Sequence, residues 1–337
     1  MTNVELGRGL RFFLANGLLI IAGMGTTLGA EFGKVEFLKF SHIYEPSGVQ
    51  QLADGRFLVV QDESAYPLDL FSLQTASSVV ETPLHRRAIF SGPPTHRLLN
   101  NLEDLEGVAS DDQGYIYAIT SHSRKENGKR DRAREQLVRF RLDGMQIDNV
   151  QGVTDLRKQI TDAYPALKQK VALGAMEDER DFNIEGLSFD AGKKQLLIGL
   201  RAPLSRADEA IIVVLDNPQA FVTGAEPARF SQHLFQLDLK GGGIRGLAYD
   251  SHLGGYLIIS GRQGKPFKLW LWEGKAGIPA RQVKIAGAKN LHQAEGITSV
   301  VINGRPAGIL IVSDDGDGQK KKPGRYLFAT YEQLEMQ

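Results

Sequence analysis

The sequence predicts an all-β fold, a β-propeller of four-stranded blades, because one short phrase recurs five times along the chain. Each copy has a polar or charged residue before a glycine, then a few apolar residues, a tight turn and a second apolar strand. Successive copies are 59, 79, 60 and 50 residues apart, which leaves room for several short strands in each. Five blades can be counted, and a sixth, poorly matched blade is the alternative because the length would also divide well into six. We call the recurring glycines the anchor glycines: Gly48, Gly107, Gly186, Gly246 and Gly296.

The composition excludes several classes of protein. The chain has 337 residues with 40 basic and 40 acidic side chains, so its formal net charge is zero. A nucleic-acid-binding protein would show a basic excess, and we expect no nucleic-acid partner. Cysteine is absent, which excludes disulfides, thiolate catalysis and thiolate metal sites.

Residues 1–30 have the order of a secretory signal peptide. Arg8 and Arg11 precede an apolar run over 12–24, and Ala30 offers a small residue for cleavage before Glu31. The run is short for a membrane-spanning helix, although an uncleaved anchor is the alternative. We therefore expect a periplasmic or secreted protein without a membrane span after cleavage, in which residues 31–337 form a single propeller domain. The oligomeric state is left open.

The strands at the two ends of the chain are expected to meet. Residues 34–40 read as a strand with no hairpin partner beside it. Placed in the last blade next to residues 325–328, this strand would close the ring and leave no exposed edge at the seam. A polar tail follows the last strand.

Between these ends, short apolar runs bounded by turn residues predict the outer strands, and one segment departs from the strand pattern. Over 155–170, apolar residues recur at three- and four-residue spacing, which predicts a short helical insertion despite Pro165. The predicted outer strands are 68–73, 87–90, 137–141, 210–215, 234–239, 268–272 and 282–285.

The phrase also locates a candidate site at one mouth of the central channel. In a blade the innermost strand begins at one mouth and the second strand returns to it, so the residue before each anchor glycine is expected to face the residue that ends the same hairpin. The glycines themselves are explained by crowding near the axis. The expected pairs are Ser47 with Asp62, Glu106 with His122, Glu185 with Arg201, Arg245 with Arg262, and Glu295 with Asp314.

Carboxylates that converge on one channel repel each other unless a cation or a basic group lies among them. Ca²⁺ takes oxygen ligands of this kind, and it is the divalent cation we favour. The alternative is that each glutamate accepts backbone N–H bonds and caps a loop. The predicted metal ligands are Glu106, Glu185, Glu295 and Asp314.

His122, with an ordinary pKa near neutrality, is a candidate base beside Glu106 and Glu185, although a histidine between two serines is also typical of a surface loop. On the fourth repeat both mouth positions are basic. Arginine binds phosphate and carboxylate groups through its planar fork, so we expect Arg201, Arg245 and Arg262 to bind a small anionic molecule. The alternative is that Arg245 merely pairs with Glu295.

The run Asn183-Ile184-Glu185-Gly186-Leu187-Ser188-Phe189-Asp190, with the strand after it, resembles a blade of the secreted esterase-like-phytase propellers. With its Asp314-Asp315-Gly316 ending, the chain most closely resembles the bacterial domain-of-unknown-function 3616 family, which implies the fold and no particular activity. It is more distantly similar to the calcium-dependent lactonase and phosphotriesterase propellers, which hold a channel metal with carboxylate and amide side chains. Arg245 and Ser47 depart from a copy of that site.

The sequence therefore leaves two main alternatives for the function of the mouth. The first is hydrolysis of a phosphate ester or lactone, with carboxylates holding a divalent metal. The second is binding of a small ligand or a protein without chemistry, and a purely structural ring is a third, weaker alternative. The sequence lacks a G-x-S-x-G elbow, which argues against a serine hydrolase.

Overall fold

The computed structural model describes residues 35–62, 67–75, 77–83, 99, 102–125, 127–172, 182–262 and 264–337. The predicted signal peptide and the predicted strand at 87–90 lie outside these residues. In chain order the strands are β1 (Leu38–Lys39), β2 (Pro46–Gln51), β3 (Phe57–Gln61), β4 (Leu68–Thr75), β5 (Ser78–Pro83), β6 (Leu105–Ser110), β7 (Tyr115–Thr120), β8 (Leu137–Asp143), β9 (Gln146–Val153), β10 (Asn183–Asp190), β11 (Gln195–Ala202), β12 (Ala210–Leu215), β13 (Phe235–Leu237), β14 (Gly243–Asp250), β15 (Gly255–Gly261), β16 (Lys268–Trp272), β17 (Arg281–Ile285), β18 (Ala294–Ile302), β19 (Arg305–Ser313), β20 (Arg325–Thr330) and β21 (Leu334–Met336).

The strands form five antiparallel sheets, and these are the five blades of a β-propeller. Blades 1 to 3 are β2–β5, β6–β9 and β10–β13, each in simple chain order. Blade 4 is β14–β17 with β21 added at its outer edge, and blade 5 is β18–β20 with β1 as its outer strand. The inner strands β2, β6, β10, β14 and β18 pack one against the next, and β18 returns to β2. The predicted propeller is confirmed with five blades, and no sixth forms in the residues that the structure describes.

The core is divided into five layers, one between each pair of neighbouring blades. Most central strands are therefore buried on both faces and read as continuous apolar runs, as in β12, where every residue is buried. Between blades 2 and 3, for example, Tyr117 and Ile119 pack with Leu187 and Leu196. Five such clusters together form the ring's core.

The anchor glycines allow neighbouring inner strands to approach closely. A Cβ atom at Gly48 would lie 2.9 Å from the carbonyl oxygen of Glu106 on the next blade, and one at Gly296 would lie 2.9 Å from the backbone nitrogen of Val49. At Gly246 it would overlap the carbonyl oxygen of Glu295. The absence of a side chain is therefore what lets five blades close around a narrow axis, which supports the crowding explanation.

The residue before each anchor glycine sits in a β-bulge. In blade 2, Leu105 pairs with Thr120 and Gly107 pairs with Ile119, so Glu106 is left out of the ladder. The same register shift occurs before the anchor glycine in the other four blades. Such a bulge turns a side chain away from the regular alternation, and here it does so once in every blade at the same level.

Both ends of the described chain join the ring. β1 pairs with β20, with Leu38 opposite Tyr326, which confirms the predicted closure although the strand is shorter than expected. The polar tail after β20 contains a further strand that was not predicted, because β21 pairs with β17 and Met336 lies opposite Val283.

The predicted helical insertion forms two helices instead of one. α1 (Leu156–Ala163) is capped by Tyr164, and α2 (Pro165–Ala172) begins with the proline. Proline lacks the N–H that would continue α1, yet it is well suited to a first helical position. A further short helix, α3 (Pro218–Val222), follows blade 3's third strand. Among the described residues, we find no helix with the length and apolar character to cross a membrane.

Candidate functional site

The five bulged residues surround the axis at one mouth of the channel. They are nearly inaccessible, with exposed fractions between 1% and 8%, and the cavity between them has a volume of about 10 Å³. That volume suits a single water molecule or ion. We call these residues the mouth ring: Ser47, Glu106, Glu185, Arg245 and Glu295.

One side of the mouth ring is balanced by arginines. The Nη1 atom of Arg245 lies 2.8 Å from Oε1 of Glu295 and 3.1 Å from Oε2 of Glu185. Arg201 Nη1 lies 2.8 Å from Oε1 of the same Glu185. Burial alone would lower the pKa of Arg201, but the charge of Glu185 raises it above its usual range. Two guanidiniums therefore oppose two carboxylates on this side.

The other side of the ring collects carboxylates. One oxygen each of Asp62, Asp104 and Glu106 can be chosen so that all lie within 4.8 Å of one another. Burial raises the pKa of Glu106 well above its ordinary value, and the neighbouring charges that raise it further are carboxylates, Glu185 and Asp104 first among them. A cation at this point would relieve both effects. We call Asp62, Asp104 and Glu106 the acidic cluster.

Asp104 is held in place by groups around it. Its Oδ2 atom accepts hydrogen bonds from the hydroxyls of Ser121 and Ser123, the latter at 3.0 Å. Arg134 Nη1 lies 3.1 Å from the same oxygen. These contacts fix the carboxylate's orientation at the start of β6, as the outer partners of a metal ligand do.

The oxygens of the acidic cluster are close enough together to share one cation. Calcium–oxygen distances are about 2.3–2.6 Å, so two ligands of one ion are at most about 5 Å apart, and the three carboxylate oxygens, all within 4.8 Å of one another, meet this limit. On the next blade Asn183 stands two residues before the ring residue, as Asp104 does in blade 2. Its Oδ1 atom is buried and has no hydrogen-bond partner among the described residues, so a further amide oxygen is open to a cation or water.

The bulges change the predicted pairs. Because the ring residue is left out of the ladder, Asp62 and Asp314 pair two positions earlier than expected, and their N–H groups donate to the carbonyls of Glu45 and Gln293. The predicted contact of Glu185 with Arg201 is observed as an ion pair. Asp62 instead approaches Glu106 of the following blade.

His122 does not lie in the mouth ring, contrary to the predicted pairing with Glu106. Its side chain is fully buried, with Nδ1 2.8 Å from the carbonyl oxygen of Thr120. The backbone carbonyl oxygen of His122 accepts a hydrogen bond from Arg157 Nη1 at 3.1 Å. Burial lowers its pKa to about 4. A base role would need an accessible ring nitrogen, which this position does not supply.

Two other predicted residues differ in their environment. Arg245 is paired with Glu295, the alternative that the sequence left open, whereas Arg262 is exposed. Asp314 is half-buried, and burial together with the charges of Glu45 and Glu185 raises its pKa to about 7. Burial also raises the pKa of Glu295, although Arg245 opposes this.

Asp104 was missed by the sequence reasoning, although a signal for it exists. In Asp104-Leu105-Glu106 the two acids flank one apolar residue at the start of an inner strand, and Asn183-Ile184-Glu185 repeats this arrangement. The residue two positions before the ring glutamate is therefore a sequence signal that predicts Asp104 and Asn183 as site residues.

The chain matches one protein family and resembles several solved structures at low sequence identity. The family described as "Protein of unknown function (DUF3616)" matches residues 145–329. No curated protein matches the sequence. Solved structures with a similar chain course include a gluconolactonase from Xanthomonas campestris, at 12% identity and a TM-score of 0.39, covering 93% of this chain and 89% of that one.

A second similar structure is the calcium structure of a Carbohydrate-Active Enzymes Family AA12 protein from Trichoderma reesei. Its sequence is 11% identical, the TM-score is 0.39, and the match covers 89% of this chain and 96% of that one. Saccharomyces cerevisiae Sqt1 is 8% identical, with a TM-score of 0.33, and covers 88% of this chain and 99% of that one. Likenesses this low carry no argument about activity. The family match, by contrast, spans more than half of the sequence, and the chain belongs to the DUF3616 family.

Proposed function

We propose that the protein is a metal-dependent hydrolase of small anionic phosphate esters or lactones. Its reaction would take place at the mouth of the channel, beside the acidic cluster. The observation that carries the proposal is the convergence of Asp62, Asp104 and Glu106 within 4.8 Å, whereas Arg201 and Arg245 pair with the other two glutamates of the mouth ring. Arg134 offsets the charge of Asp104, but neighbouring carboxylates still raise the pKa of Glu106, and a bound cation would relieve that repulsion.

The acidic cluster would hold the cation, with Asn183 as a candidate fourth oxygen donor. A bound divalent cation supplies Lewis-acid polarisation of a carbonyl or phosphoryl oxygen. The chain's own residues would orient the substrate around it. Arg201, whose side chain is 24% exposed while paired with Glu185, is placed to hold a carboxylate or phosphate group.

Asp314 is the carboxylate we assign to proton transfer. It follows β19 at the mouth, where its backbone is tied to Gln293, and its side chain is only partly buried. A carboxyl with a pKa of about 7 can accept a proton from a nucleophile at neutral pH and return it to a leaving group. His122 and Glu185 have no such role in this scheme, because His122 is fully buried and Glu185 is paired with two arginines.

A non-catalytic binding protein is the second candidate, and one observation favours it. The cavity inside the mouth ring, about 10 Å³, is too small to enclose a substrate, so any ligand must lie outside the ring. A small anion or a protein could be held there by the same cation and Arg201 without chemistry.

A hydrolysis screen separates the two candidates. The chelator-stripped protein is reloaded with Ca²⁺, Mg²⁺ or Mn²⁺ and assayed against phosphomonoesters, phosphodiesters and lactones. We expect turnover of one class that disappears with chelator and in Glu106→Gln, and that survives in the exposed control Glu335→Gln. Metal-dependent binding of these compounds without turnover would instead establish the binding protein.

We also propose that the protein is exported to the periplasm or beyond, because residues 1–30 carry basic, apolar and small residues in signal order. N-terminal sequencing of the exported protein should give Glu31 as its first residue. Retention of residues 12–24 in the mature protein would contradict cleavage.

A further inference from the structure

The opposite end of the axis opens into a second, larger cavity of about 600 Å³. All five blades contribute to its lining, with Gln50, Ser110, Ser188, Tyr249 and Thr298 as one residue from each. Its volume is within the usual range for small-ligand sites. Glu106 and Ser110 stand at opposite ends of β6, about 13 Å apart along an extended strand, so this second mouth is separate from the acidic cluster.

The second mouth is almost uncharged, unlike the mouth ring. Of the described residues that line it, Asp54 alone carries a charge. Its carboxylate is engaged by the turn it belongs to, with Arg56 Nη2 at 2.6 Å, Nε at 2.8 Å and backbone nitrogen at 3.0 Å. A charged ligand would lose hydration here without an opposite charge to replace it, so the lining favours a neutral one.

Two large apolar side chains of this lining are widely exposed. Tyr249 is 46% exposed and Val301 is 43% exposed, and both line the cavity. The Tyr249 ring stands edge-on to Tyr256, with ring centroids 5.2 Å apart, and Tyr256 is itself bonded to Asp190 at 3.1 Å. Tyr249 therefore supplies the cavity with an aromatic side chain that is held by Tyr256 and almost half exposed.

Polar groups of the lining are fixed by hydrogen bonds within and between blades, and Ser188 and Gln50 keep a donor or an acceptor for a ligand. Ser188 Oγ accepts the N–H of Tyr249 at 3.0 Å, which leaves its own proton available to a ligand. The Gln51 side chain bonds both the N–H and the carbonyl of Val301, at 2.7 and 2.9 Å. Gln50 donates through Nε2 to the Gln51 carbonyl at 2.8 Å, so its side-chain oxygen is still an acceptor. Neutral donors and acceptors are therefore held in set positions around the aromatic face.

We infer that the second mouth binds a neutral polyhydroxylated ligand, a mono- or disaccharide. A sugar ring offers hydroxyls to uncharged hydroxyl and amide groups, and its C–H face packs on an aromatic ring such as Tyr249. An anion finds no cation in this lining, and a hydrocarbon would leave the serine and glutamine groups without partners. The inference does not depend on the metal site.

Calorimetric titration with glucose and maltose tests it, with gluconate and glucosamine as charged counterparts of glucose. We expect a neutral sugar to bind at millimolar or lower concentration and the charged ones to bind more weakly. Tyr249→Ala should weaken binding about fivefold, the scale of one aromatic contact. Tyr249→Phe, which keeps the platform, and Val80→Ala, an exposed residue on the outer strand β5, should bind like the wild type.

Glu106→Gln separates this inference from the proposed function, because it should leave sugar binding unchanged whether or not it abolishes hydrolysis. No binding of either neutral sugar up to tens of millimolar would overturn the inference. So would equal binding by Tyr249→Ala, or loss of sugar binding in Glu106→Gln, since the last result would place the sugar at the other mouth.

Discussion

At the scale of single residues, the mouth is governed by how buried charges are compensated. Arg245 is 7% exposed and lies between Glu185 and Glu295, and the guanidinium of Arg201 completes the set. Removing one member of such a set leaves buried charge without an opposite partner, which costs more than the pair itself contributes.

We therefore expect Arg245→Met to lower the free energy of unfolding by about 3–5 kcal/mol, the range for breaking a buried ion pair from one side. Chemical denaturation of the purified variant measures it. The exposed Arg262→Met is the control, with a change within about 0.5 kcal/mol. Equal stabilities of the two variants would mean that Arg245 is not the counter-charge of the ring.

His122 is expected to make stability depend on pH. Its pKa in the folded protein is about 4, below the ordinary 6.5, so the fold favours the neutral ring. The stability that the neutral His122 ring contributes is fully present above pH 6.5 and is lost as the pH falls from 6.5 toward 4. The total loss in the free energy of unfolding is about 3 kcal/mol.

Denaturation of the wild type and His122→Asn between pH 7 and pH 4 checks this. Asparagine tolerates the positive φ of 59° at this position and can keep a bond to the Thr120 carbonyl. The variant should lose less stability on acidification, while the exposed His233→Asn should follow the wild type. Parallel profiles for all three proteins would refute the buried neutral histidine.

The sequence revealed the ring residues because each stands before a glycine that the fold cannot replace. It could not reveal which carboxylates meet, since that depends on approaches between blades: Asp62 of blade 1 reaches Glu106 of blade 2, and Arg245 of blade 4 reaches Glu185 of blade 3. The burial of His122 escaped prediction for the same reason. The helices and strands that cover it are distant in sequence.

At the scale of elements, the bulge and its anchor glycine act as one unit. The bulge turns the preceding side chain toward the axis, and the glycine lets the next strand come into contact. Strands buried on both faces were predictable from their apolar runs, and β16 has the expected bounds. β9 and β21 were missed because they are outer strands with mostly polar residues, whose pairing is set by the neighbouring strand rather than by their own pattern.

Gly246→Ala tests the close approach. Its methyl group would overlap the carbonyl oxygen of Glu295, and neither backbone can move without separating blades 4 and 5. We expect the free energy of unfolding to fall by about 3 kcal/mol, the upper part of the range for overpacking. Gly192→Ala, in the turn between β10 and β11, should change stability by no more than about 1 kcal/mol, and thermal denaturation that shows no difference between the two would contradict the argument.

At the scale of the whole molecule, the ring is closed by both ends of the described chain. β1 covers the outer edge of blade 5, and Phe40, which follows it, is 2% exposed in the layer between blades 5 and 1. β21 covers blade 4, but Met336 is 39% exposed and contributes less burial. The first closure was predictable from a strand without a local partner, and the second was not, since the tail is short and polar.

Deletion of residues 31–42 should therefore destabilise the protein much more than deletion of 334–337. Loss of the Phe40 side chain alone should lower the free energy of unfolding by about 3–5 kcal/mol. Loss of the short strand β21 should lower it by about 1 kcal/mol. Differential scanning calorimetry of the two truncated proteins compares them. An unchanged melting temperature after the first deletion would refute closure by β1.

Calorimetric titration of the chelator-stripped protein with Ca²⁺ is the decisive experiment for the proposed cation site at the acidic cluster. We expect one site per chain, a raised melting temperature in the presence of the ion, and binding weakened at least about tenfold in Glu106→Gln, because affinity follows the number of charged ligands. Glu335→Gln should bind like the wild type. Absence of binding by the wild type to Ca²⁺, Mg²⁺ and Mn²⁺ alike, or equal Ca²⁺ binding by Glu106→Gln, would contradict the claim.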